Sequence, residues 1–160
     1  MSVVRLRQEI ISLAGAMVVV VLVADFATKL AMIHLLDRGQ PRWLIDNWAG
    51  LELTENRGIA FGIGEGSPAI IAFVLVGLVA LVLVILRSES WATRPLATGA
   101  LGAAAGGGIA NVVDRVPDGA VTDFIVLGPW PRFNIADSAL TIGLILLAYL
   151  EVKREAAQRA

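Results

Sequence analysis

Two aspartates, Asp123 and Asp137, are the residues whose type and placement in this sequence could do chemistry. Asp123 lies inside an apolar run and Asp137 opens the last long hydrophobic segment, and between them is a turn that contains Gly128, Pro129 and Pro131. Carboxylates at the edge of a membrane segment are costly to hold there, so they usually have a function. Two carboxylates held close together share a proton, because both cannot ionise easily. One could then act as a base toward water while the other protonates a peptide carbonyl oxygen, as in aspartic proteases.

The same residues also allow structural or different catalytic interpretations. Asp137 could be an acidic residue in the first turn of a helix, favoured by the helix dipole and capped by Asn134, with Asp123 in a loop facing water. On spacing alone this interpretation is the simpler one. A Ser–Lys pair made by Ser138 and Lys29 is another alternative, although Lys29 has a nearer partner in Asp25.

Further polar residues interrupt the apolar runs. Asp25 and Lys29 stand one helix turn apart and can pair, which could simply neutralise the end of a membrane helix. Asn111, Asp114 and Arg115 stand at positions i, i+3 and i+4, so they project from one face of a helix.

The composition is that of an integral membrane protein. Of the 160 residues, 57% are hydrophobic and 17% are charged, whereas a soluble domain usually has about 45–50% and about 25%. One compact membrane domain over residues 1–160 is therefore expected. The chain has no cysteine and a single histidine, which excludes disulfides and thiol nucleophiles and argues against a zinc site. The net charge of −1 and the lack of a Lys/Arg run give no reason to expect nucleic-acid binding.

Apolar runs long enough to cross a membrane as helices occur at four places, residues 10–33, 69–86, 96–113 and 133–150. The third run is rich in Gly and Ala, which lets membrane helices pack closely. Residues 51–54 alternate apolar and polar side chains, as in a short surface strand. The pattern predicts an all-α membrane protein, a bundle of four transmembrane helices with polar segments at residues 34–67 and 114–132.

Four spans place both termini on the same side of the membrane. The basic residues on that side include Arg5, Arg7, Arg87, Arg94, Lys153, Arg154 and Arg159. Short cytoplasmic flanks are usually basic, so both termini are expected in the cytoplasm. The segments 34–67 and 114–132 are then extracytoplasmic, and the polar residues collect near the outer membrane face.

Five short blocks occur in order along the chain. They are Asp25-Phe-Ala-Thr-Lys29, Asn56-Arg-Gly-Ile-Ala-Phe61, Gly106-Gly-Gly-Ile-Ala-Asn111-Val-Val-Asp114-Arg115, Val121-Thr-Asp123-Phe124 and Phe133-Asn134-Ile-Ala-Asp137. With these blocks in register on four spans, the chain resembles the prolipoprotein signal peptidase family (signal peptidase II) over nearly its whole length. One position departs from the family's pattern, because Ala110 stands where glycine is usual. The added methyl group is expected to tighten helix packing and leave the chemistry unchanged.

The resemblance implies an aspartic endopeptidase of the bacterial cytoplasmic (inner) membrane that needs no cofactor. Its partners would be membrane lipid and prolipoproteins that carry diacylglycerol on a cysteine, and it would cut just before that cysteine. A monomer is expected.

The resemblance also implies roles for individual residues. Asp123 and Asp137 would be the catalytic dyad, near the outer face, and residues 34–67 would form a small β cradle over it. The residues that bind substrate or support the site would be Asn56, Gly58, Asn111, Arg115 and Asn134. Support of the fold would come from Asp25, Lys29 and Asp114.

Two non-enzymatic alternatives fit part of the pattern. Intramembrane acids could carry protons in a small proton-coupled transporter, but there is no internal repeat and the acids collect at one face rather than at the midplane. A structural subunit of a larger complex would suit the Gly/Ala-rich third run and would leave the acids unexplained.

Overall fold

The computed structural model describes residues 3–58 and 94–159 of the chain. Its helices are α1 (Val3–Leu35), α2 (Pro95–Arg115) and α3 (Ile135–Arg159). Its strands are β1 (Arg42–Ile45), β2 (Ala49–Asn56) and β3 (Val121–Leu127). The order along the chain is α1, β1, β2, α2, β3 and α3.

Three helical segments are long and apolar enough to cross a membrane, Ser12–Leu35, Pro95–Arg115 and Ile135–Arg159. They correspond to the first, third and fourth predicted spans. The predicted span 69–86 lies outside the described residues, as does the 59–67 part of the predicted extracytoplasmic segment. The count of four helices therefore stays a prediction.

Helix α2 packs against both α1 and α3, and glycine makes this possible. A Cβ atom added at Gly102 would lie 2.6 Å from the main-chain oxygen of Ala14 in α1. One added at Gly107 would collide with the main-chain oxygen of Ala136 at the start of α3. The prediction that the Gly/Ala-rich run lets helix backbones approach closely is confirmed.

The three strands form one antiparallel sheet in the order β1-β2-β3. Strand β2 contains the predicted strand 51–54 and pairs with β3 from Ala49 opposite Leu127 to Asn56 opposite Val121. Two strands, β1 and β2, come from the segment 34–67 expected to form a small β cradle, and the third, β3, is added from the segment 114–132. Strand β3 is buried at Val121, Asp123, Phe124 and Val126. Its side chains are mostly apolar and do not show the strict alternation that marks a surface strand.

The sheet packs against the end of α1 and the start of α3. A buried apolar cluster joins Leu36, which directly follows α1, to Leu53 of β2 and Phe124 of β3. Its partly buried neighbours are Met32, Leu51, Ile125 and Ile135. Burying a side chain of this size contributes about 1.5–3 kcal/mol relative to leaving it exposed. This cluster fixes β3, and with it Asp123, against the bundle.

The ends of α3 differ from the predicted span 133–150. The helix begins at Ile135 because Phe133 continues the sheet, donating its N–H to the Ile125 oxygen at 3.2 Å. It continues to Arg159 because residues beyond 150 pair along the helix, Arg154 with Glu151 and Arg159 with Glu155. Such pairs each support an exposed helix by about 0.2–0.5 kcal/mol.

Candidate active site

Asp123 and Asp137 are brought together from different elements. Asp123 is in the middle of β3 and is 1% exposed. Asp137 is in the first turn of α3. The short connection from Leu127 to Ile135 turns the chain back, so that Phe133 pairs with Ile125 and the start of α3 lies beside β3.

Asn134 bridges the two aspartates. Its side-chain oxygen accepts a hydrogen bond from the Asp137 N–H at 2.8 Å, and its own N–H donates to Asp137 Oδ2 at 3.2 Å. These reciprocal bonds make a capping box at the start of α3, with an aspartate in the place more often taken by Glu or Gln. The Asn134 Nδ2 group donates to Asp123 Oδ1 at 2.8 Å. The capping interpretation of Asp137 is therefore correct as a description of the helix, and the cap itself contacts the second aspartate.

Two further asparagines complete the contacts of the carboxylates. Asn56, the last residue of β2, donates from Nδ2 to Asp123 Oδ2 at 2.9 Å. Asn111 of α2 donates from Nδ2 to Asp137 Oδ1 at 2.6 Å, and its Oδ1 accepts a hydrogen bond from Asn134 Nδ2 at 3.1 Å. Each of the four carboxylate oxygens thus accepts a hydrogen bond from an amide, and the five side chains form one network.

Arg115 and Gly58 support this network from outside. The Arg115 guanidinium donates from Nη2 to the Gly58 oxygen and from Nη1 to the Asn111 oxygen, the latter at 3.1 Å. Gly58 in turn donates its N–H to Asn56 Oδ1 at 3.0 Å. Arg115 therefore ties the end of β2 to α2 through two carbonyl groups, and through Gly58 and Asn56 it acts on Asp123.

The three charged residues expected to support the fold, Asp25, Lys29 and Asp114, meet in one cluster, in which Asp114 is partly exposed. Lys29 Nζ lies 2.6 Å from Asp25 Oδ2, as the helical spacing predicts, and 3.0 Å from Asp114 Oδ2. Asp25 and Lys29 are 3% and 5% exposed. Buried charges persist in proteins when they are paired in this way.

The protonation of Asp123 is shifted into the neutral range. Burial is the largest cause and raises the pKa of the Asp123 carboxyl from 3.8 to about 7. The negative charge of Asp137 also raises this pKa, whereas the hydrogen bonds from Asn56 and Asn134 and the charge of Lys29 lower it. Near pH 7 the Asp123 carboxyl is therefore partly protonated, which is the state that general acid–base chemistry requires.

The alternative Ser–Lys pair is not formed. The Ser138 hydroxyl donates to the main-chain oxygen of Asn134 at 2.9 Å, and Lys29 is held by its two carboxylates. The Ser138 hydroxyl is therefore hydrogen-bonded within its own helix turn, and Lys29 does not serve it as a base. Within residues 3–58 and 94–159 no three of the residue types His, Cys, Asp and Glu are grouped so as to hold a metal ion.

The main-chain carbonyl groups that take part in the site could not be predicted from the sequence. The Gly58 oxygen, which accepts from Arg115, is one of them. Another is the Thr122 oxygen, which accepts from Asn134 Nδ2 at 3.3 Å. A backbone carbonyl is present at every position, so only the fold shows which ones are used.

Comparison with known proteins finds one family over most of the chain. The family model described as signal peptidase (SPase) II matches residues 17–153. A protein named lipoprotein signal peptidase from Chlorobium phaeobacteroides (strain BS1) is 40% identical over 152 residues, which cover 87% of this chain and 93% of that protein. Proteins of the same name are similar in Chlorobium luteolum (strain DSM 273 / BCRC 81028 / 2530), 38% identical over 79% of this chain and 83% of that protein, and in Rhodococcus jostii (strain RHA1), 39% identical over 82% and 68%.

Two solved structures share the architecture. Both are described as bacterial membrane enzyme structures obtained by the in meso method, at 2.3 Å and 1.9 Å resolution. The first is 29% identical with a TM-score of 0.79 and covers 90% of each chain. The second is 27% identical with a TM-score of 0.69 and covers 88% of this chain and 92% of that one.

Proposed function

The chain belongs to the signal peptidase II family, a peptidase family of bacterial membranes, and we propose that it cleaves prolipoprotein signal peptides with Asp123 and Asp137 as a catalytic pair. Removal of signal peptides from prolipoproteins follows from the family. The aspartic mechanism and the position of the cleaved bond are proposed here in addition. Because the family consists of peptidases, the transporter and structural-subunit alternatives lose their support.

The observation that carries the proposal is the hydrogen-bond network of the two carboxylates. Asn134 contacts both aspartates, and each carboxylate oxygen has one amide donor. Donors fixed in this way hold the two acids in place before substrate arrives, which is the preorganisation that catalysis needs. The pKa of Asp123 near 7, raised chiefly by burial, supports one acid that is protonated while the other is ionised.

The proposed reaction consumes the peptide and one water molecule and needs no other reagent. A water molecule loses a proton to the ionised aspartate as its oxygen bonds to the carbon of the scissile carbonyl. The protonated aspartate gives its proton to the carbonyl oxygen, which forms a tetrahedral gem-diol. When this intermediate collapses, the C–N bond breaks and one aspartate gives its proton to the departing amine. The other, ionised aspartate takes a proton from a hydroxyl of the gem-diol as the new carboxyl group forms. The two acids then again hold a single proton.

The substrates of this proposal are prolipoproteins whose cysteine already carries diacylglycerol, cut just before that cysteine. Both termini of the enzyme lie in the cytoplasm, and the dyad lies near the outer face of the membrane. The basic residues in both termini and in the linker that contains Arg87 and Arg94 support this orientation. A reporter fused after Ala160 should behave as cytoplasmic and one inserted at Gly39 as external, whereas an external C-terminus would overturn the orientation.

Activity is tested with the purified full chain in nanodiscs. A prolipoprotein bearing diacylglyceryl-cysteine is compared with the same precursor lacking the lipid. The proposal predicts a product whose N-terminus is the lipidated cysteine, and little or no cleavage of the unmodified precursor. Equal cleavage of both precursors, or cleavage elsewhere in the signal peptide, would contradict the proposed substrate.

A further inference from the structure

The cluster of Asp25, Lys29 and Asp114 contacts the main chain next to both proposed catalytic residues. Asp25 Oδ1 accepts a hydrogen bond from the Ala136 N–H at 2.9 Å, and Ala136 immediately precedes Asp137. Asp114 Oδ2 accepts a hydrogen bond from the Thr122 N–H at 2.8 Å. Thr122 immediately precedes Asp123, so the two contacts are equivalent.

Lys29 joins these two contacts. Its ammonium lies 2.6 Å from Asp25 and 3.0 Å from Asp114, in a site where Lys29 is 5% exposed. Neither contact has hydrogen-bond geometry, so the lysine holds the two carboxylates by charge. A charge interaction of this kind is strongest where water is excluded. That holds for Lys29 with Asp25, whose side chains are 6% and 4% exposed, whereas the Asp114 side chain is 28% exposed and its interaction is more strongly screened.

We propose that Lys29 is a positioning residue of the peptidase, which through Asp25 and Asp114 fixes the main-chain segments carrying Asp137 and Asp123 relative to each other. This inference rests on the proposed function. Asn134 connects the side chains of the two aspartates, and the Lys29 cluster connects the backbones from which they project. Through this cluster, helix α1 acts on the geometry of the dyad by way of main-chain segments next to it.

The expected consequence of removing the lysine charge follows from the two carboxylates that remain. Asp25 and Asp114 would repel each other, and each is hydrogen-bonded to a segment that carries a catalytic acid. A displacement of about 1 Å can cost about 100-fold in rate. Because Lys29 itself does not reach the dyad, substrate binding should change much less than turnover.

A second consequence concerns pH. The charged groups that face Asp123 are Asp137 from α3, Lys29 from α1 and Arg115 from α2. The positive charge of Lys29 lowers the pKa of Asp123, so its loss raises that pKa. The alkaline limb of the rate profile should then move to higher pH, an effect that a merely structural lysine would not produce.

The experiment compares Lys29→Met with Lys153→Met, a control at an exposed position of α3. With lipidated prolipoprotein in nanodiscs, Lys29→Met is expected to lower kcat by about 10- to 100-fold and to leave KM within about twofold of the wild-type value. Its alkaline limb is expected to lie at higher pH than that of the control. A wild-type kcat, with or without a shift of the limb, or a change confined to KM, would overturn the inference.

A charge-balanced variant keeps the test decisive where Lys29→Met is poorly inserted. Lys29→Met combined with Asp114→Asn retains the single net negative charge of the cluster, and an amide oxygen remains that can accept from Thr122. It removes only the charge link, so kcat should fall while the melting temperature stays near that of wild type. A folded double variant with wild-type kcat would overturn the inference. Parallel assays of Asp123→Asn separate the cases, because activity there would refute the catalytic pair rather than the role of Lys29.

Discussion

Asn134 donates a hydrogen bond of 2.8 Å to Oδ1 of Asp123 while its side-chain oxygen caps the helix that carries Asp137. One amide thus starts a helix and holds the partner acid. The nitrogen serves the dyad and the oxygen serves the helix, so substitutions can separate the two roles.

Asn134→Ser should keep the cap and lose the contact with Asp123, because the serine side chain is shorter and still accepts from the N3 position. We expect a melting temperature near wild type and a loss of kcat/KM of about 100-fold. Asn134→Ala should lose the cap as well, at about 1 kcal/mol of stability. Thermal unfolding measures the stability of both variants, and kinetics measure their activity. An active Asn134→Ser would show that the hydrogen bond from Asn134 to Asp123 is dispensable.

The sequence predicts part of this site, and there are physical reasons why the other contacts could not be predicted from it. The spacing of Asp25 and Lys29 predicts their pair, and Asn134 before Asp137 predicts the cap, because both contacts are local along a helix. In the sequence, a helix cap at Asn134 and a catalytic pair of Asp137 with Asp123 look like competing interpretations. The sequence pattern cannot show that the nitrogen and the oxygen of the Asn134 amide point in different directions and serve both.

Non-local pairing is what the sequence conceals. Strand β3 is an apolar run whose partner, β2, precedes α2 in the chain, and a buried strand has no alternation to reveal it. The contacts of Asp25 and Asp114 end on main-chain N–H groups, which every residue except proline carries. Arg115 is predictable as a site residue, but its choice of the Gly58 and Asn111 oxygens is not.

The pH dependence of kcat/KM should have an alkaline limb near pH 7. Asp123, with a pKa raised to about 7 chiefly by burial, is protonated below that pH and loses its proton above it, so a mechanism that needs one protonated acid fails as pH rises. The hydrogen bond from Asn56 favours the ionised form and lowers this pKa. Asn56→Ala should therefore raise the pKa and move the limb to higher pH.

The control for Asn56→Ala is Gln40→Ala, which removes an exposed amide outside the network. Its profile should coincide with that of wild type. An alkaline limb that moves to lower pH in Asn56→Ala, or none between pH 6 and 9, would count against Asp123 as a titrating member of the pair. This pH range brackets the pKa of Asp123, which burial raises to about 7.

Arg115 should tolerate replacement by lysine poorly. Its planar group donates to two carbonyl oxygens in different segments, and a lysine ammonium cannot reproduce that fork. We expect Arg115→Lys to lower kcat/KM by about 10-fold and Arg115→Ala by more, with insertion unchanged.

Arg132→Lys is the matched control for Arg115→Lys, because Arg132 also makes a forked contact, with Nε and Nη2 both on Glu52 Oε2 at 2.8 and 2.5 Å. That pair lies outside the network of the dyad. Arg132→Lys should keep wild-type kcat/KM. If Arg115→Ala were as active as wild type, Arg115 would have no orienting role.

Asp123 and Asp137 are tested most directly by Asp→Asn exchange at each position, measured as cleavage of lipidated prolipoprotein by purified enzyme at matched expression. The amide keeps the size of the side chain and cannot pass on the proton that the mechanism moves. Asp118→Asn is the control, because Asp118 is exposed and its carboxylate accepts from the nearby Ala120 N–H, away from the dyad. Ser138→Ala tests the rival nucleophile and should remain active. We predict that each dyad variant loses at least about 1,000-fold in kcat and that the double variant is no worse than either single one. Asp118→Asn should match wild type. Substantial cleavage by inserted Asp123→Asn or Asp137→Asn would contradict the aspartic mechanism.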